Sequence, residues 1–120
     1  MMKLNKTRHV LAVPDLKISS AFYKTQLGFS VDWEDENWCF LYRDNFYVML
    51  GECKDAIPPH ELGDHQYFAY VDVEDIDELY NEFSSKEIEI TSQLADKPWG
   101  QREFGIKTID GHRIMFGKEI

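Results

Sequence analysis

Long apolar runs are missing from this chain of 120 residues. No stretch approaches the roughly 20 residues that cross a bilayer. The opening MMKLNKTRH lacks the apolar core of a signal peptide, so the expectation is a cytoplasmic protein with no membrane partner. Cysteine is scarce: Cys39 and Cys53 form no CxxC pair, and in a reducing compartment both stay thiols. Basic residues are outnumbered, 13 Lys and Arg against 22 Asp and Glu, for a net charge of −9. A field of that sign repels phosphate backbones and anionic lipid, which sets nucleic acid aside as a partner. A GxSxG elbow and a Gly-rich phosphate loop are also lacking. Cys39 lies in the apolar run WCFLYR, where burial raises a thiol pKa and makes it inert. Neighbouring acids such as Asp35 and Glu36 do not by adjacency place two carboxylates around a substrate. No catalytic residue follows from the sequence.

What is present suits one compact domain: 43% of residues are hydrophobic and 14% aromatic. The acid is clustered, in DWEDE at 32–36 and DVEDIDE at 72–78. Such clusters either attract a cationic ligand or form a solvated rim and favour helix N-termini. Along the chain a βαβββ order is read twice. Residues 7–13 alternate as a strand, and Pro14-Asp15 starts a helix with Leu16, Ala21, Phe22 and Leu27 near helical spacing, closed by Gly28. Strands follow at 29–33, 38–43 and 46–50, the last two joined by an Asp44-Asn45 turn. Pro58-Pro59 rules out regular structure in the loop after them. The pattern restarts with a strand at 66–73 and a helix at 75–84, then strands at 87–91, 102–109 and 112–117 around an Asp110-Gly111 turn. Asp15-Leu16 and Asp75-Ile76 sit at matching places sixty residues apart, as a duplicated module requires.

The stretches VPDLKISSAFYKTQLGFSVDW, YVDVEDIDELYNEF and KPWGQREFGIKTIDGHRIMFG resemble the glyoxalase, bleomycin resistance and extradiol dioxygenase group, the vicinal oxygen chelate superfamily. Nearly the whole chain is covered. Within that group the sequence looks most like the bleomycin resistance proteins, through LGFS followed by Asp and an aromatic, the DELY helix, and PWG shortly before REF; Gln101 stands between the last two as an extra residue. The resemblance implies an α+β fold: two βαβββ modules, about 6–53 and 64–120, in one domain over 1–120, with mixed sheets forming a cup and modules pairing in a dimer.

The resemblance also bears on metal binding. In metal-using members a ligand lies on the first strand, and matching VPDL puts that position at Arg8, one residue from His9. A one-residue shift moves a strand side chain to the opposite face. Arg8, Val10 and Ala12 would then face a cavity, and His9, Leu11 and Val13 the packed helix. The other matched ligand positions hold Phe68 and Met115. Arginine, phenylalanine and methionine do not suit a hard divalent ion, so no metal ligand and no cofactor are expected. His60 and His65, with Glu61 and Asp64 between them in HELGDH, lack HExxH spacing, and His112 in DGHR reads as strand geometry.

Large flat groups are the chain's main asset. Alternation puts Trp38 with Phe40 and Tyr47 with Met49, while Trp33 follows Asp32 at a sheet edge. Trp99 lies in KPWG, where Pro98 and Gly100 fix the backbone and leave the indole to lean over an opening. The competing reading makes these core aromatics. By resemblance, Trp38 and Trp99 hold a planar cationic drug with Asp32 as the nearby anion. Trp33, Phe40, Tyr47, Met49, Phe68, Gly100, Arg102 and Met115 complete the candidate ligand site. A stacked ring contributes about 1–3 kcal/mol and a cation over indole roughly 0.5–2 kcal/mol. Arg8 and Arg102 argue the other way, since an unpaired guanidinium favours an anion.

The resemblance further implies a homodimer with two equivalent cavities, each lined by the first module of one copy and the second of the other, so that Trp38 and Trp99 meet across the interface. The expected function is metal-free binding of the bleomycin resistance type, sequestering a cationic aromatic antibiotic without making or breaking a bond. The alternatives are a metal-dependent lyase, isomerase or dioxygenase of the superfamily, and a binding module for another aromatic or anionic metabolite, with Arg8 and Arg102 as its signature.

Overall fold

The computed structural model describes residues 2, 5–58, 61 and 67–120, so His60, Asp64 and His65 of the HELGDH loop lie outside the described residues. The chain divides into two compact units, Met1–Ala56 and Ile57–Ile120. The first carries β1 (Arg8–Val13), α1 (Leu16–Thr25), β2 (Ser30–Glu34), β3 (Trp38–Arg43) and β4 (Phe46–Glu52). The second carries β5 (Tyr67–Asp72), α2 (Ile76–Ser84), β6 (Glu89–Asp96), β7 (Gln101–Lys107) and β8 (Arg113–Glu119). Each is a four-stranded mixed sheet, in the orders β1-β4-β3-β2 and β5-β8-β7-β6. In both, the first strand pairs parallel with the last and the other pairs are antiparallel. The fold is therefore α+β with the βαβββ order repeated.

Both helices start on an aspartate that satisfies a free backbone donor. Asp15 accepts from the Ile18 N–H at 3.2 Å and Asp75 from the Glu78 N–H at 3.0 Å, caps each worth about 1 kcal/mol. In α1 the Glu52 carboxylate takes a second donor, the Leu16 N–H, at 3.1 Å. At the other end Arg43 Nη1 donates to the Leu27 carbonyl at 2.8 Å, placing a cation where the helix dipole favours it.

In the first unit α1 packs on one face of the sheet. Leu11 and Val13 of β1, Cys39 and Leu41 of β3, and Val48 and Leu50 of β4 are buried there with Leu16 and Tyr23 of the helix, each large apolar side chain contributing about 1.5–3 kcal/mol. Buried Ser19 and Ser20 let the helix approach closely. A run of edge-on rings, Phe22, Tyr23, Phe29, Phe46 and His9, closes the end of this core. In the second unit Tyr80 and Phe83 of α2 meet Phe104, and Phe83 also meets Phe116.

Several strand boundaries depart from the sequence reading: β4 and β8 run two residues past their expected ends, to Glu52 and Glu119. The strand expected at 87–91 is Glu89–Asp96, because its register with β7 shifts after Ile90 and again after Ser92; such irregularities break the alternation that marks a strand. The strand expected at 102–109 stops at Lys107, since the tight turn begins at Thr108, whose N–H donates to the His112 carbonyl at 2.8 Å.

His112 is buried beside that turn, 4% exposed, edge-on to Phe68, and its Nδ1 has no hydrogen-bond partner among the described residues. Burial lowers its pKa from 6.5 to about 4. The unfolded chain then binds a proton at a pH where the fold still excludes it, so stability falls as pH drops from about 6.5 towards 4. Urea unfolding at pH 7 and pH 4.5 should show a loss of about 2–3 kcal/mol from this group, and the loss should shrink by that amount in His112→Phe.

Candidate functional site

The face of the first sheet turned away from α1 is built in three cross-strand rows. The first holds Ala12, Gly51 and Trp38, the second Val10, Met49 and Phe40, and the third Arg8, Tyr47 and Tyr42. Alternation puts these residues together because their neighbours Leu11, Leu41, Val48 and Leu50 are committed to the core. In the first row the small Ala12 and Gly51 leave room for a large group. The Trp38 indole lies against Gly51 so closely that a Cβ there would come within 2.9 Å of the ring. Trp38 meets Phe40 edge-on at 6.2 Å, and Tyr42 stacks on Tyr47 at 5.8 Å.

The register between β2 and β3 slips by one residue between Val31 and Trp33. Strict alternation separates Asp32 from Trp33, but the extra residue of the bulge lets both reach Phe40's face. Trp33 meets Phe40 at 5.2 Å, and Asp32 Oδ2 pairs with Arg8 Nη2 at 3.1 Å. The Arg8 guanidinium lies 5.3 Å from the ring centres of both Phe40 and Tyr47. The result is an aromatic platform carrying one internal ion pair. His9 takes the other face of β1, edge-on to Phe46 and with Nδ1 3.4 Å from the Tyr47 carbonyl oxygen.

In the second sheet the face away from α2 carries Tyr70, Met115 and Gly105 in one row and Asp72, Gly117 and Glu103 in the next. The Tyr70 hydroxyl lies directly over Gly117, where no side chain fits, and donates to the Glu103 carboxylate at 2.7 Å. Burial and that hydrogen bond hold the Tyr70 pKa well above a phenol's ordinary value. Trp99 sits at the tip of the β6–β7 connection, 65% exposed, beside Gly100 at φ +85. The Lys97 ammonium lies 6.0 Å from the Trp99 ring centre.

Of the residues singled out in the sequence, Asp32, Trp33, Trp38, Phe40, Tyr47 and Met49 share the first platform. Met115 lies on the second sheet's outer face, and Trp99 and Gly100 at its hairpin tip. Two stand elsewhere. Phe68 falls in a register shift of β5 and packs on buried His112, whereas Tyr70 is the residue beside Met115. Arg102 is on the α2 side, held by Asp96 at 2.6 Å and Asp77 at 3.3 Å. Neither Arg8 nor Arg102 is an unpaired cation, which removes the sequence-level objection they raised.

The acid clusters resolve in the same way. Asp35 Oδ1 accepts from the Asn37 and Trp38 N–H groups at 2.8 Å to shape the β2–β3 turn. Asp75 caps α2 and Asp77 pairs with Arg102. Asp32 faces the aromatic platform, paired with Arg8. The positions that the family resemblance assigns to metal ligands, Arg8, Phe68 and Met115, offer no hard donor, and Arg8 is itself paired. Among the described residues no three His, Cys, Asp or Glu side chains converge as a metal group, and no helix is long and apolar enough to cross a membrane. Sequence reasoning set Arg8 on the cavity face but did not find its pairing with Asp32, and it did not single out Tyr42, Tyr70 or Glu103 as site residues. Tyr42 was the most accessible of these, since it continues the alternation of Trp38 and Phe40.

The model of a protein family described as Glyoxalase/Bleomycin resistance protein/Dioxygenase superfamily matches residues 4–116. A bleomycin resistance protein of Geobacillus stearothermophilus is 28% identical over 123 aligned positions, covering 92% of this chain and 93% of the relative. Among solved structures, a glyoxalase/bleomycin resistance protein/dioxygenase from Alicyclobacillus acidocaldarius superposes with a TM-score of 0.83 at 15% identity, covering 97% of this chain and 92% of its own. A bleomycin-binding protein from Streptomyces verticillus, solved with copper(II)-bleomycin, gives a TM-score of 0.75 at 21% identity and covers 97% of each chain.

The two thiols differ sharply. Cys53 is exposed, whereas Cys39 is buried and its pKa is pushed up to about 11, first by burial and then by the Glu34 carboxylate. A disulfide reagent at pH 8 should titrate one thiol quickly and the second at least about 100-fold more slowly until the protein is unfolded.

Proposed function

This chain belongs to the Glyoxalase/Bleomycin resistance protein/Dioxygenase superfamily, and we propose that it acts there as a binding protein of the bleomycin resistance type. On this reading it holds a bleomycin-like cationic aromatic drug non-covalently and keeps it from its target. It does so without a resident metal and with no bond made or broken. The observation that carries the proposal is the platform of Trp33, Trp38, Phe40 and Tyr47 with Asp32 beside it. Stacked rings recognise the flat part of such a ligand, and an anion at the platform's edge recognises its charge. The bleomycin resistance relative and the copper(II)-bleomycin complex of a fold neighbour support the same ligand class.

The proposal extends to the second unit, where Trp99, Gly100 and Met115 contribute, and to a cytoplasmic homodimer with one drug per chain. Residues 1–120 act as a single domain of the family. The Arg102 guanidinium is committed to Asp96 and Asp77 and takes no part in ligand contact, and Phe68 serves the packing around His112.

Calorimetric titration with metal-free and with copper(II)-bleomycin, together with elemental analysis of the purified protein, tests this directly. The expected result is saturation near one drug per chain with no stoichiometric protein metal. Trp38→Ala and Trp99→Ala should each weaken binding by roughly 5- to 150-fold, the equivalent of about 1–3 kcal/mol for one stacked ring. No heat with either form of the drug would overturn the proposal. A stoichiometric divalent ion retained through purification would return the chain to the enzymes of the superfamily.

A further inference from the structure

Three observations on the first sheet converge on Arg8. Its guanidinium is equidistant, at 5.3 Å, from the ring centres of Phe40 and Tyr47, and its Nη2 is 3.1 Å from Asp32 Oδ2. A second cation of the chain, the Lys6 ammonium, sits 4.4 Å from the same Tyr47 ring. Cations collect here because the faces of both rings and the Asp32 carboxylate present negative potential to one point. The bulge in β2 is what brings Asp32 to that point.

We infer that Phe40, Tyr47 and Asp32 form a subsite for a planar cation of the guanidinium or amidinium class, and that Arg8 is its resident occupant. A ligand cation takes the subsite by displacing Arg8, so Arg8 sets the threshold of affinity and charge that a ligand must pass. The inference deepens the drug-binding reading and rests on it for the natural ligand.

Arg8 fits the subsite incompletely. Asp32 serves Nη2, while Nη1 is buried with no hydrogen-bond partner among the described residues. A buried donor without an acceptor is a cost to the resident state, and a guanidinium on a flexible stem relieves it by swinging out to water. The Asp32 side chain is 37% exposed, so an incoming cation reaches the carboxylate from solvent. A neutral planar ligand gains nothing from the exchange, because it cannot replace the charge Arg8 withdraws from Asp32. The subsite thereby selects for charge as well as for flatness.

The test compares wild type with Arg8→Met, which keeps the stem and removes the charge, and with Arg8→Lys, which keeps the charge. The probes are benzamidine, a planar aromatic amidinium, and benzamide, its neutral counterpart. Fluorescence of Trp33 and Trp38, both in contact with Phe40, reports occupancy, and circular dichroism confirms that each variant is folded. Benzamidine affinity should rise about tenfold in Arg8→Met, little in Arg8→Lys, and the gain should vanish in Arg8→Met/Asp32→Asn, with benzamide unaffected throughout. Unchanged or weaker benzamidine binding in folded Arg8→Met overturns the inference. A gain for benzamidine in a protein that gives no heat with bleomycin upholds the subsite while sinking the drug-binding reading.

Discussion

The period-two alternation of side chains along β1, β3 and β4 is the constraint on which the first unit depends. One set of residues, Leu11, Leu41, Val48 and Leu50, is spent on the core beneath α1. The other set, Arg8, Trp38, Phe40, Tyr42, Tyr47 and Met49, is thereby fixed on the opposite face in defined cross-strand rows. Stability and recognition are coupled through the backbone, since a one-residue slip in any strand would bury the platform and expose the core. The bulge at Asp32 is the one local exception, and it adds an anion to a face that alternation would otherwise leave to rings and one arginine.

Charge on this acidic chain is arranged more locally than its net value suggests. Arg102 is neutralised by Asp96 and Asp77, Lys107 by Glu89 and Arg8 by Asp32. Exposed pairs of this kind contribute little stability, at most about 1 kcal/mol each; their effect lies in removing unpaired cations. The buried Glu103 is served by the Tyr70 hydroxyl, so a carboxylate also remains on the second sheet's outer face. Both sheets therefore present aromatic rings next to an acid.

Much of this was legible in the sequence, because helix caps and alternation are local. Asp15 and Asp75 mark both helix starts, WCFLYR reads as β3 without error, and the pairing of Trp38 with Phe40 and of Tyr47 with Met49 follows from parity alone. What escaped was whatever depends on an irregularity or on a partner distant in sequence. Asp32 and Trp33 were both named for the site, but a bulge carries no signature in VDWED, so the register shift that brings the two to one face was hidden. The register shift in β5 likewise separated Phe68 from Met115. Arg102 looked like a cavity group because REF gives no hint that Asp77, 25 residues earlier, holds its guanidinium. Arg8 was read as a cavity-facing guanidinium at a lost metal-ligand position that would favour an anion, and its place over Phe40 and Tyr47 emerges only when residues 32 and 39 positions away lie beside it.

The central claim is that the face of the first sheet away from α1 is where a planar cationic ligand lands. The indole N–H resonances of Trp33, Trp38 and Trp99 form a sparse reporter set for that claim. A nitrogen-proton correlation spectrum during bleomycin titration should move the Trp33 and Trp38 indole signals together, saturating at one drug per chain. Saturable binding that leaves both of those signals in place would contradict the account.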